Sequence, residues 1–241
     1  MGDYNYASFS FALDQPGVEQ WLEQGPKPGT LAPGFEAESL DGGTVALADL
    51  RGRPVVIEFG SYTCPIFFAN VEPMEAVAAR HPEAAFLVIY TREAHPGELT
   101  PEHQSMEDKR RAAKRLAAEE PIGRTLLVDD LEGTVHRSFG AAWDAVYVID
   151  ADGVVVLRQA WAHPDQVEAV LANLASGQMV EPRETIDMAS PSGRPMGEGL
   201  LRGGKRALFD FYRTAPPPVQ QRLRQSPSQA VRAVLSELVD G

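Results

Sequence analysis

The sequence predicts an α/β fold on a mixed central sheet, with a β-hairpin ahead of it and a mainly helical and loop tail behind. Three observations carry that prediction. Short apolar runs rich in β-branched residues recur at "RPVVIEFG", "AAFLVIYTRE", "RTLLVDD" and "DAVYVIDADGVVVLRQA". Stretches with helical spacing separate the first three runs. The last run turns back on itself at Asp152-Gly153. Strands that alternate with helices and then close in a hairpin give a sheet that is partly parallel.

Taken in order, residues 1–29 form a lead-in of alternating aromatics, then the amphipathic "GVEQWLEQ", then the linker "GPKPG". Two short strands flank Asp41-Gly42-Gly43, because DG and GG favour hairpin turns. "RPVVIEFG" reads as a strand buried on both faces. After Cys64, "PIFFANVEPMEAVAARHP" places Ile66, Phe67, Val71, Met74 and Val77 near one helical face, with Pro73 positioned to kink it. "AAFLVIYTRE" is a second buried strand. "TPEHQSMEDKRRAAKRLAAEEP" reads as a polar helix capped by Thr100 with Pro101 at its first position. "RTLLVDD" is the third strand, and "EGTVHRSFG" a short helix stopped by Gly140. The hairpin and the helix "PDQVEAVLANLA" complete a main domain over residues 30–176. The order β-α-β-α-β-β-α is that of the thioredoxin fold, here with an N-terminal hairpin of the redoxin kind. In the extension, residues 177–241, Gly and Pro make the first half loop-like, and "SPSQAVRAVLSELV" ends it as a capped amphipathic helix.

The composition excludes several classes. With 44% hydrophobic residues the chain can bury a substantial core. Its net charge of -12 argues against a nucleic-acid surface, which needs clustered Lys and Arg. The charge is uneven: residues 1–177 hold 13 basic and 27 acidic groups, residues 178–241 hold 9 and 7. A tail docked on an acidic body would explain this, as would a solvated face. The sequence has no run of about 18 apolar residues and no secretory signal, so the expected setting is cytoplasmic and off the membrane. A single cysteine fits a reducing compartment.

That cysteine lies in "GSYTCPIFF", between a strand and a helix. At a helix N-cap, unpaired N–H groups and the helix dipole favour thiolate over thiol. Cys64 is therefore a candidate nucleophile, against the alternative of a small residue packed in a turn. Ser61 and Thr63 are placed to donate to an anionic sulfur. A Cys-x-x-Cys pair is excluded, because positions 61 and 67 hold Ser61 and Phe67. A one-cysteine peroxidase stays open, although its usual threonine three residues upstream is Ser61 here. No histidine pair has metal-ligand spacing near Cys64, so neither a metal nor a bound cofactor is expected.

"GSYTCP" resembles the active-site segment of the iodothyronine deiodinases, where selenocysteine stands between threonine and proline. "FLVIYTREAHP" is similar to that family's strand ending in Glu-Ala-His, here Glu93, Ala94 and His95. "EHQSMEDKRRAA" resembles the helix that follows and places His103 on the second functional histidine. "DAVYVIDADGVVV" resembles the segment in which an acid precedes a Tyr-Val-Ile strand; that acid is Asp144, where the family carries glutamate. The resemblance spans roughly residues 54–172. It implies a thioredoxin-like fold and reductive removal of halogen from an iodinated aromatic. Cys64 would attack or accept iodine, His95 and His103 would bind the phenol end or relay protons, and Glu93 and Asp144 would orient them. Independently of the resemblance, Glu93, His95 and His103 lie on the loop and helix start after the second strand, at the C-terminal sheet edge where α/β sites gather.

The departures define the rest. Cysteine replaces selenocysteine, and the second cysteine that vertebrate members carry two residues earlier is Tyr62 here. Regeneration then needs an external thiol, a thioredoxin-type protein or a second subunit. Two other readings stay open, the thiol peroxidase and a non-catalytic scaffold that binds a protein partner. In the tail, Phe209, Phe211 and Tyr212 offer a docking face for the body, for a dimer, or for a lid over Cys64. His81 and His136 read as surface residues and His163 as part of a helix cap. Trp143 and Trp161 read as core, with a pocket wall as the alternative.

Overall fold

The computed structural model describes residues 4–11, 17–142, 144–187 and 194–239. After α1 (Gly17–Gln24), β1 (Glu36–Ser39) and β2 (Thr44–Ala46) form the N-terminal hairpin. The central units are β3 (Val55–Gly60), α2 (Pro65–Arg80), β4 (Ala85–Tyr90), α3 (Met106–Glu119) and β5 (Thr125–Val128). A short α4 (Thr134–Ser138) leads to the hairpin β6 (Val146–Ile149) and β7 (Val155–Gln159), then to α5 (Pro164–Ala175). The sheet runs β2-β1-β5-β4-β3-β6-β7 and gains one further strand, β8 (Arg183–Thr185), parallel to β7. The mixed α/β arrangement is thioredoxin-like, as the element order predicted.

Period-2 alternation divides β3 between two cores. Val55, Ile57 and Phe59 face a cluster with Trp21, Phe139 and Tyr147, whereas Val56 faces the side of α2 and α5. Glu58 shares the face of Val56, so a carboxylate enters the helix layer. It pairs there with Arg124, which also holds Glu75 at 2.7 Å. α2 runs through Pro73 without interruption.

Two expectations need correction. The helix after β4 starts at Met106, not at Pro101. Ser105 caps it, its hydroxyl accepting from the Asp108 amide at 3.2 Å, and an N-cap of this kind contributes about 1 kcal/mol. His103 therefore lies in the loop ahead of α3. The first half of the tail is also not loop-like. Besides β8 it forms α6 (Met196–Leu201), α7 (Lys205–Thr214) and α8 (Pro217–Arg224), and α9 (Gln229–Val239) follows. Its glycines serve close approach. A Cβ on Gly199 would stand 2.8 Å from the Cα of Pro65, and one on Gly203 would stand 2.4 Å from the carbonyl oxygen of His95.

Candidate active site

β3 and β4 are parallel neighbours paired through Gly60 and Tyr90, so their C-terminal ends release two loops side by side. The first carries Ser61 to Cys64 and the second Thr91 to His95. The two loops are joined by side chains from the expected motifs. The Ser61 hydroxyl accepts from the Ala94 amide at 3.1 Å. Thr63 donates to Glu93 Oε2 twice, from its amide at 2.9 Å and its hydroxyl at 2.6 Å, and that hydroxyl accepts from the His95 amide at 3.0 Å. Ser61 and Thr63 were expected to serve the sulfur. Their hydroxyls instead bind one loop to the other.

Glu93 is the centre of this network. Tyr90 donates to its Oε1, and His103 Nε2 stands 3.4 Å from the same oxygen. Burial pushes the Glu93 carboxyl up, but His103, Thr63 and Tyr90 more than offset this and hold it below the usual range. Glu93 is thus an ionised carboxylate with no exposure to solvent. The Tyr90 hydroxyl also accepts from the Tyr62 amide at 3.2 Å, which extends the network to the residue preceding Thr63.

Cys64 occupies the N-cap of α2 with an extended backbone, and Pro65 fills the first helical position. The expected thiolate is not favoured in this closed arrangement. Burial pushes the thiol well up, Asp144 and Glu58 add to this, and the backbone amides of Phe67 and Ile66 oppose it only in part. Asp144 is fully buried ahead of β6 and accepts from the Ala162 amide at 3.3 Å. Burial, with Glu58 nearby, raises its carboxyl well above the ordinary range. Glu58 and Arg124 escaped the sequence reading, yet a charge inside "RPVVIEFG" was a signal, since a strand buried on both faces must supply such a charge with a partner.

His95 is buried, its Nδ1 has no hydrogen-bond partner among the described residues, and burial lowers its pKa to about 3. Its ring lies 4.2 Å from Phe9 and 5.1 Å from Phe211, between centroids. The tail and the N-terminal segment both reach this place. Arg202 donates to the Tyr62 carbonyl at 3.4 Å and pairs with Glu120, and Arg194 donates to the Phe68 carbonyl at 2.8 Å. Of the residues offered for docking, Phe211 and Tyr212 are buried and Phe209 is half-buried. Trp161, half-buried, packs against the cluster that contains Tyr62 and Cys64, and Trp143 lies outside the described residues. His163 does sit at the N-cap of α5, but His81 and His136 are buried, not on the surface. Among the described residues no three His, Cys, Asp or Glu stand together as metal ligands, and no helix is long and apolar enough to cross a membrane.

A family model described as iodothyronine deiodinase matches residues 5–174. The chain belongs to that family. The thyroxine 5-deiodinase of Homo sapiens is 30% identical over 161 residues, covering 61% of this chain and 50% of its own. That of Aquarana catesbeiana is 35% identical over 140 residues, covering 53% and 51%. The chain thus spans about half the length of these relatives. Among solved structures, an uncharacterised conserved protein from Geobacillus kaustophilus superposes with a TM-score of 0.54 at 20% identity, over 77% of this chain and 93% of that one. This likeness bears on the fold alone. The family is one of oxidoreductase enzymes, and the deiodinase-type residues Cys64, Glu93, His95 and His103 all lie in the two joined loops or in the segment that leads into α3.

Proposed function

We propose that the protein is a cysteine-dependent reductive dehalogenase of an iodinated aromatic, regenerated by an external thiol. The observation that carries this reading is Thr63. Adjacent to Cys64 in the chain, it is hydrogen-bonded to both Glu93 and His95, so the nucleophile and the proton-handling groups form one unit.

In the reaction, the aryl–iodine bond breaks and iodine passes to the Cys64 sulfur as a sulfenyl iodide. The ring carbon takes the proton that the thiol relinquishes. One external thiol then attacks the sulfur, releasing iodide and a proton and leaving a mixed disulfide. A second thiol attacks that disulfide, restores the Cys64 thiol and leaves as oxidised dithiol. The two thiols supply both electrons.

Each residue has a task in this scheme. Ionised Glu93 fixes Thr63, and with it the Cys64 loop. His95 stays neutral because burial lowers its pKa to about 3, so it meets the phenol end as a hydrogen-bonding imidazole and not as a cation. At Cys64 the amides of Ile66 and Phe67 favour thiolate against the burial that raises the thiol, and they are the groups that would stabilise the sulfur as its proton leaves. Asp144, whose carboxyl burial raises well above the ordinary range, is the proton donor for the same centre.

The test is iodide release from an iodothyronine under excess dithiol. Wild type releases iodide, and Cys64→Ser abolishes release while remaining folded by circular dichroism. No release from wild type overturns the reading. Rapid thiol-dependent consumption of peroxide in its place would identify the one-cysteine peroxidase.

A further inference from the structure

We propose that Phe9 is a built-in stand-in for the substrate ring: it fills an aromatic slot against His95 and Phe211 and vacates it when a phenolic ring enters. The inference rests on the reading of this site as one for an iodinated aromatic.

The slot is defined on both sides. Phe9 lies 4.2 Å from the His95 ring and stacks on Phe211 at 5.6 Å with an interplanar angle of 24°. Phe211 meets His95 edge-on at 5.1 Å and 75°. These are the separations at which aromatic rings attract one another, so the three rings form a triad of mutual contacts in which Phe9 occupies one ring-sized place. Phe9 is 5% exposed, so it is a packed element of the site.

The fit is nevertheless incomplete. His95 is also only 5% exposed, and its Nδ1 has no hydrogen-bond partner among the described residues. A buried polar atom left without a partner is costly, and a hydrocarbon ring cannot supply one. A phenol in the same slot brings a hydroxyl to this nitrogen as well as an aromatic face to Phe211. The occupant that satisfies the slot is therefore a hydroxylated aromatic ring, and Phe9 supplies only the apolar half of it.

Phe9 is also the ring that can move. Residues 4–11 contain no helix or strand and are held by separate contacts. Tyr6 donates to the Ala94 carbonyl at 2.7 Å, Arg206 donates to the Ala7 carbonyl at 2.9 Å, and the Phe11 amide donates to Thr214 Oγ1 at 3.4 Å. Tyr4, buried against His136, tethers the segment upstream. Phe211 is instead fixed within α7, whose first amides are held by Glu98 and whose apolar face packs with Leu223 of α8 and Val231 of α9. Displacement of Phe9 shifts a segment that has neither helix nor strand, whereas displacement of Phe211 would unseat a helix.

Binding of 4-phenoxyphenol to the Cys64→Ser protein, measured by calorimetry, tests this without any reaction. Because a blocked slot lowers apparent affinity by the fraction of open molecules, Phe9→Ala should tighten binding about tenfold. Phe211→Ala should weaken it, since a wall is lost. If Phe9→Ala fails to fold, Phe9→Leu keeps the apolar burial, removes the ring and should shift affinity in the same direction. Unchanged or weaker binding in the folded Phe9 variant overturns the proposal, as does absence of binding in every variant. If the phenol binds in competition with Phe9 while no iodothyronine loses iodide, the dehalogenase reading falls and the slot stands.

Discussion

His95 and His136 are both buried, and burial drives the pKa of each to about 3, with Arg92 adding to the effect at His136. Their hydrogen bonds separate them. His136 Nε2 lies 3.1 Å from the Ala142 carbonyl and must donate to it, which leaves Nδ1 to accept from the Tyr4 hydroxyl at 2.8 Å. His95 lies against two phenyl rings, with Nδ1 unpartnered among the described residues. Burial and a displaced pKa are common to both, so neither property distinguishes a working histidine from a structural one. Hydrogen-bond completeness separates them, because both ring nitrogens of His136 are engaged by the protein and Nδ1 of His95 is left to meet a ligand.

The sharpest break of this comparison is a pair of alanine substitutions. His95→Ala removes a ring with nothing bound at Nδ1, so it should lower iodide release about 100-fold while costing less than about 2 kcal/mol of stability. His136→Ala also strands the Tyr4 hydroxyl and the Ala142 carbonyl. It should cost about 3 kcal/mol in urea unfolding and leave the activity per folded molecule unchanged. The reverse pattern would mean that the complete pocket is the functional one.

The second test concerns what the two residues share. The unfolded chain takes up a proton on each histidine below pH 6.5, and the folded chain refuses it until about pH 3. Each therefore subtracts stability as pH falls through that window, by about 2 kcal/mol at pH 5. Glu58 and Asp144, with raised pKa values, act in the opposite sense, so the difference between wild type and variant is the quantity to read. His95→Gln and His136→Gln should each recover about 2 kcal/mol of the loss between pH 7 and pH 5. Only the first should lose activity.

What the sequence made legible follows from range. The strands, the two hairpins, α5 and the lone cysteine at a helix start are written in local spacing, and they fold where expected. Cys64, Glu93, His95 and His103 were grouped by the resemblance of their motifs to the deiodinases and, for the last three, by their place after the second strand. His136 was misread because nothing in "EGTVHRSFG" marks the histidine as turned inward, and its ring packs on Phe59 and bonds to Tyr4, 132 residues distant in the chain. The tail was misread for a related reason. Glycine and proline spelled a loop, whereas Gly199 and Gly203 are there to bring α6 against Pro65 and the His95 carbonyl. Phe9 stood out only as one of the alternating lead-in aromatics, since only the folded chain shows that residues 9 and 211 meet at one histidine.

Tyr4→Phe is the gentlest way to sharpen the contrast, because it turns His136 into a second histidine with a stranded Nδ1 and keeps the aromatic ring in place. Loss of that hydrogen bond should cost about 1 kcal/mol. The ring would still be faced by Arg92 at 4.9 Å and Arg137 at 5.2 Å, so the tether on the segment that carries Phe9 survives. Iodide release should therefore change by less than about twofold, a shift of under 0.5 kcal/mol at the barrier. A larger change, measured beside an unfolding curve that moves as expected, would show that the two histidine pockets are linked through residues 4–9. The comparison would then describe one device, in which the grip on Tyr4 sets how readily Phe9 leaves His95.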